Sequence, residues 1–132
     1  MAYLLDTNII SDLVRQPSGP VRHAIARVGQ ENVCTSILVA AELGYGVLKK
    51  GASRLGTRVD AILADMDILP LEPPFQRHYA DVRLSLESIG RPIGHMDTMI
   101  AAHALAIGCV LVTDNMAEFA RVPGLAVENW LR

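Results

Sequence analysis

The 132-residue sequence predicts a three-layer α/β/α fold with a parallel central sheet of about five strands. Three observations lead there. Short apolar segments alternate with longer amphipathic ones, so successive strands are joined by helical crossovers and must pair in parallel. The run Cys109-Val110-Leu111-Val112 contains no polar residue, as expected of a strand covered on both faces. Finally, 51% of the residues are apolar, enough for one domain spanning 1–132 to bury a core without staples.

Tyr3-Leu4-Leu5 reads as the first strand, stopped by Asp6-Thr7-Asn8, which are natural cappers for a helix from Ile9 to Arg15. Pro17 ends that helix. Ser18 is the expected cap of a second helix, with Pro20 in its first turn, where no N–H is needed. Its apolar face is Val21, Ile25 and Val28, and Gly29 terminates it.

Val33-Cys34-Thr35 is the second strand, and Ser36 caps a helix running to Lys49. On it Leu38, Glu42 and Tyr45 fall three and four apart and so share a face, with Ala41 and Leu48 extending the expected buried stripe. A helix over Leu55–Met66 and a strand at Ile68–Leu71 follow. Pro70 assigns that strand to the sheet edge, because proline cannot donate to a ladder. The next helix runs from Pro74 to Ser88, with Gly90 as terminator.

Asp97 opens a further helix that Gly108 closes, and the apolar run 109–112 then stops at Thr113-Asp114-Asn115. A short helix over Met116–Ala120 and a strand at Ala126–Glu128 complete the chain.

Chemistry in open parallel sheets gathers at the carboxyl ends of the strands. Asp6 directly follows the first strand, and Asp114 nearly follows the fourth. Glu42 lies on the helix leaving the second, and Asp97 on the helix that delivers the chain into the fourth. Such acids repel one another and lose hydration, which raises their pKa values or recruits a cation. An all-oxygen donor set suits Mg²⁺ or Mn²⁺, whereas zinc recruits His or Cys. Asp6, Asp97 and Asp114 read as well as helix caps or turn formers. Glu42 is harder to assign structurally: an acid beside Leu38 needs a partner, and no basic residue lies within helical reach before Lys49. Thr113, Asn8 and Asn115 are candidates to orient the carboxylates, and equally good local caps. His95 precedes Asp97 by two residues, in reach of a phosphate or simply a loop residue. His103, on an Ala-rich helix, reads as packed or surface-bound rather than as a ligand.

With 12 basic and 14 acidic residues the formal charge is −2, so there is no bulk attraction to nucleic acid. The one local positive surface is Lys49, Lys50, Arg54 and Arg58, which also reads as ordinary solvated helix ends. Cys34 and Cys109 lie in apolar segments and read as buried thiols. No apolar run is long enough for a membrane span and no secretory signal is visible, so a cytoplasmic protein is the expectation.

These residues together carry a resemblance. Leu4–Leu13 (LLDTNIISDL), the segment from Ser36 through Glu42 to Gly46, and Ile93–Asp97 running into Met99–Ala104 resemble the motifs of PIN-domain proteins, and more narrowly of VapC toxins from type II toxin–antitoxin pairs. Leu111–Asn115, Glu118-Phe119, Arg121–Leu125 and Glu128–Trp130 resemble the family's closing region. The resemblance covers nearly the whole chain and implies endonucleolytic cleavage of RNA, with transfer RNA as a candidate target. It implies that Asp6, Glu42 and Asp97 hold Mg²⁺ or Mn²⁺. Family members often carry Asp where this chain has Asn115, and others Asn, so the fourth place is divided between Asp114 and Asn115. The resemblance further implies a homodimer and a small antitoxin partner seated near Ile10, Leu13, Val14, Tyr45 and Leu48, positions that ordinary core packing would also explain. Rival readings are a PIN domain that binds metal and RNA or protein without cleaving, and a phosphoacceptor signalling domain. The latter lacks its late lysine, since no Lys follows Lys50.

Overall fold

The computed structural model describes residues 1–132. The strands are β1 (Tyr3–Leu5), β2 (Val33–Ser36), β3 (Asp67–Leu69), β4 (Val110–Val112) and β5 (Val127–Glu128). The helices are α1 (Thr7–Arg15), α2 (Pro20–Val28), α3 (Ile37–Lys50), α4 (Ser53–Ala64), α5 (Phe75–Ser88), α6 (His95–Ile107) and α7 (Met116–Phe119), with a 3-10 turn at Gln30–Asn32.

All strands pair in parallel in the order β3-β2-β1-β4-β5, so the five-stranded α/β/α expectation holds. Tyr3, Leu4 and Leu5 pair with Val110, Leu111 and Val112. The chain builds outward from β1 in one direction through β2 and β3, then returns to β1's other side with β4 and β5. That reversal opens a crevice beyond the carboxyl ends of β1 and β4, the usual place for a site in such sheets.

Leu4, Leu5, Leu111 and Val112 are fully buried, meeting Ile9, Ile10, Val21, Ile100 and Ala101 from the covering helices. Each such large side chain contributes about 1.5–3 kcal/mol by leaving water. Cys34 and Cys109 are buried free thiols, as expected. No helix is long and apolar enough to cross a membrane.

The structure corrects three local expectations. The cap of α2 is Gly19 rather than Ser18, with no side-chain bond, and Pro20 occupies the first helical position. The strand β3 lies at the edge as expected but stops at Leu69, before Pro70. The buried stripe of α3 is Val39 and Leu43, whereas Tyr45 and Leu48 are 65% and 83% exposed. The cause is the position of α4: a methyl group at Gly56 would lie 3.0 Å from Val47 Cγ1, so α4 meets α3 closely on the Val47 side. The Tyr45–Leu48 face is left to solvent.

Candidate active site

The crevice between β1 and β4 is closed by one hydrogen bond. Thr113 Oγ1 donates to Asp6 Oδ2 at 2.7 Å, joining residues 107 positions apart, both buried. Asp6 also caps α1, its Oδ1 accepting from the Thr7 N–H at 2.8 Å. The capping and site readings of Asp6 therefore coexist in one side chain. Burial pushes its carboxyl above the ordinary carboxylate range, and the bonds from Thr113 and Thr7 oppose that rise.

Thr7 extends the arrangement to α3, because its hydroxyl donates to Glu42 Oε1 at 2.8 Å. Glu42 is half-buried and forms no salt bridge. Its partner is thus a neutral hydroxyl, which leaves its charge uncompensated.

Asp97, half-buried in the first turn of α6, has its carboxyl pushed up to about 7. Burial is the largest cause, followed by a hydrogen bond shared with Glu118 and then by the negative charges of Glu118, Asp6 and Glu42. The last three groups come from α7, the end of β1 and α3, so four acids from four elements act on one another here. None of them is paired with Lys or Arg.

Glu118 is a residue that sequence reasoning left among the closing motif without a role. Its Oε2 accepts from Asn115 Nδ2, and the Asn115 N–H donates to Thr113 Oγ1 at 3.0 Å. The signal that could have found it was helical spacing: three residues after Asn115, it projects on the same side of α7. Asp114 is placed differently from the expectation. Its exposed carboxylate accepts from Asn129 Nδ2 at 2.9 Å and lies 3.9 Å from Arg132, turned away from the other acids. Its backbone N–H is held by Asn8 Oδ1 at 3.0 Å, while Asn8 Nδ2 reaches Thr113 Oγ1 at a long 3.5 Å. A turn that spends its backbone on Asn8 and Thr113 directs Asn115 inward and Asp114 out.

Of the basic cluster, Lys50 lines a groove of 190 Å³ with Thr7, Ser11, Val14, Arg15, Glu42, Leu43, Val47, Leu55 and Val59. Lys49 instead stacks over the Tyr45 ring at 5.8 Å, and Arg54 and Arg58 lie exposed on α4. His95 is exposed at the start of α6, and His103 is buried.

The donor set is all carboxylate and hydroxyl oxygen, and the carboxylates carry negative charge that no cationic side chain offsets. That chemistry fits a hard divalent ion. No three acid, His or Cys side chains are held as direct ligands around one point. An ion held here would therefore take one or two carboxylates directly and reach the others through its waters.

A five-stranded parallel sheet with an acid cluster at its reversal point fits a PIN-type domain, and the PIN domain family model matches residues 3–125. The chain is 35% identical over 132 residues to "Ribonuclease VapC2" of Rickettsia felis, covering 98% of each chain. It is 33% identical over 131 residues to "tRNA(fMet)-specific endonuclease VapC" of Shigella flexneri, again covering 98% of each. Among solved structures, it superposes with a TM-score of 0.92 and 34% identity on a chain of VapBC2 from Rickettsia felis bound to a promoter DNA fragment, covering 98% of this chain and 99% of that one. The match to DNA-bound VapBC from Salmonella typhimurium has a TM-score of 0.91 at 30% identity, covering 98% of both. The chain belongs to the VapC family of PIN-domain ribonucleases.

Proposed function

We propose that this chain is a Mg²⁺- or Mn²⁺-dependent endoribonuclease and the toxin of a type II toxin–antitoxin pair. The observation that carries the reading is the set of mutually interacting, uncompensated acids Asp6, Glu42, Asp97 and Glu118 at the sheet's reversal point. Asp6, Glu42 and Asp97 would hold the ion, with Glu118 as the fourth acid in place of Asp114. When bound, the cation supplies Lewis-acid stabilisation of charge on a phosphodiester.

The protein's own part is positional. Thr113 holds Asp6 in one rotamer from β4, and Thr7 holds Glu42 from α1. Asp97, pushed up to about 7 in the metal-free protein, holds a proton part of the time near neutrality and would give it up to a bound cation. Of the four acids Asp6 alone is buried, so it is the one least screened by bulk water.

Transfer RNA is the substrate to test first, because one relative of nearly equal length is named for it. The partner is an antitoxin, since the solved chains on which this one superposes come from VapBC complexes. Its seat is the groove between α1, α3 and α4. Ile10 and Leu13, expected at that seat, are core residues, while Val14 lines the groove and Tyr45 and Leu48 stand exposed on α3. A homodimer in the cytoplasm completes the reading. The test is cleavage of transfer RNA by the purified chain with Mg²⁺ or Mn²⁺. Activity lost with chelator and in Asp6→Asn and Asp97→Asn supports the proposal, and equal activity in wild type and both variants overturns it.

A further inference from the structure

His103 is the largest polar side chain in the core, only 2% exposed, and none of the chemistry above uses it. Both ring nitrogens are committed. Nε2 lies 3.0 Å from the Pro70 carbonyl oxygen, which can only accept, so Nε2 carries the hydrogen. Nδ1 is then bare and accepts from the Ser36 hydroxyl at 2.8 Å. Ser36 Oγ in turn accepts from the Leu38 N–H at 3.0 Å as the N-cap of α3. The Phe75 ring meets the imidazole edge-on at 6.2 Å. A single side chain of α6 therefore ties down the start of α3 and the connection between β3 and α5.

The spacing gives this tie a consequence at the site. On α3, Glu42 follows Ser36 by six residues, and on α6, His103 follows Asp97 by six. Six helical residues span about 9 Å. Ser36 meets His103 at one end, the Glu42 charge acts on Asp97 at the other, and α3 and α6 touch, so the two helices carry both pairs between them. Sliding or tilting one helix at the Ser36–His103 rung moves Glu42 relative to Asp97 by a comparable amount. An apolar side chain could fill the same volume, but it would not fix that register.

We propose that His103 is a positioning residue, acting through Ser36 to set the separation of the Glu42 and Asp97 carboxylates. This rests on the nuclease reading above. The choice of variants separates the two ring bonds: Asn places its amide oxygen where Nδ1 lies, and Gln reaches only the Nε2 position. So His103→Asn keeps the Ser36 bond and loses the Pro70 bond, whereas His103→Gln does the reverse.

The experiment measures kcat, KM and melting temperature for Ser36→Ala, His103→Gln, His103→Asn and the Ser36→Ala/His103→Gln double variant, with Mn²⁺ affinity read by paramagnetic resonance without RNA. A misplacement of an ångström or less at the carboxylates predicts that Ser36→Ala and His103→Gln each lower kcat about tenfold and weaken Mn²⁺ binding about fivefold, with KM within about twofold. The double variant falls no further than either single change, and His103→Asn keeps kcat within about threefold despite a lower melting temperature. Unchanged kcat and Mn²⁺ affinity in Ser36→Ala and His103→Gln overturn the inference alone, as does an equal loss in the Asn and Gln variants. If His103→Gln does not fold, Ser36→Ala decides. A wild type that neither cleaves RNA nor binds Mn²⁺ overturns the nuclease reading as well.

Discussion

Thr113 and Asp6 form a two-way junction: the threonine hydroxyl donates to the Asp6 carboxylate at 2.7 Å and accepts the Asn115 N–H at 3.0 Å. One atom therefore orients an acid on β1 and the turn that leads to Glu118. Replacing it with Val leaves a buried N–H and a buried carboxylate oxygen each short of a partner. We expect Thr113→Val to cost roughly 1–3 kcal/mol in urea unfolding and at least about tenfold in RNA cleavage. Thr113→Ser, which keeps the hydroxyl, should retain most of both.

Asp6→Asn separates the two duties of that position. Asn caps a helix as well as Asp does, and an amide is less costly to bury than a carboxylate. Cleavage should fall by about 100-fold or more, while the melting temperature is equal to or above that of wild type.

Glu118→Gln and Asp114→Asn distinguish the fourth acid. With Glu118 bonded to Asn115 and interacting with Asp97, and Asp114 turned to Asn129 and Arg132, we expect the first to lower kcat about 30-fold or more. The second should leave kcat within about twofold, as surface changes do. Comparable losses would restore Asp114 to the site.

Asp97 makes stability depend on pH in a direction opposite to that of most paired carboxylates. Its pKa is near 3.8 when unfolded and about 7 when folded without metal. Between those values the folded state holds the extra proton, so this group's contribution falls as pH rises from about 4 to 7 and is level above that. Asp97→Asn removes the penalty. Allowing for solvent screening of a half-exposed group, the metal-free variant should melt roughly 2–4 °C above wild type at pH 8 and near it at pH 4. Mn²⁺ affinity of wild type should strengthen about tenfold from pH 5 to 6 and flatten above 7.

Leu48→Asp tests the exposed side of α3. Leu48 is 83% exposed, so the change should leave unfolding free energy within about 0.5 kcal/mol and RNA cleavage unaltered. Binding of the antitoxin should weaken about tenfold or more if the partner covers that face, as calorimetry of the purified pair would show.

Patterns that act along the chain were legible in the sequence. The apolar run at 109–112, the cappers after Leu5 and Pro70 just beyond β3 give a buried strand, helix starts and an edge because each acts within a few residues. The placement of Asp6 and Asp97 followed from strand ends and helix starts in the same way. What was not legible depends on groups distant in sequence. Tyr45 and Leu48 share a helical face with Leu38, yet only the position of α4 decides which face is covered. Asp114 and Glu118 are both acids in the closing motif, and the bond from Asp114 N–H to Asn8, 106 residues earlier, decides which one turns inward. For His103 the sequence left packed and surface positions both open, because its two hydrogen-bond partners lie 67 and 33 residues away.

The pairing of β1 with β4 also sets a timetable. Ribosomes add roughly 5–20 residues each second, so the 107 positions between Asp6 and Thr113 separate their synthesis by roughly 5–20 s. Val112, whose carbonyl accepts the Asp6 N–H, the hydroxyl partner Thr113 and the acid Glu118 all come at the far side of that interval. Until then the chain carries Asp6 with no β4 to close over it. Any chemistry of the acid cluster has therefore to wait until β4 has been made and has docked beside β1.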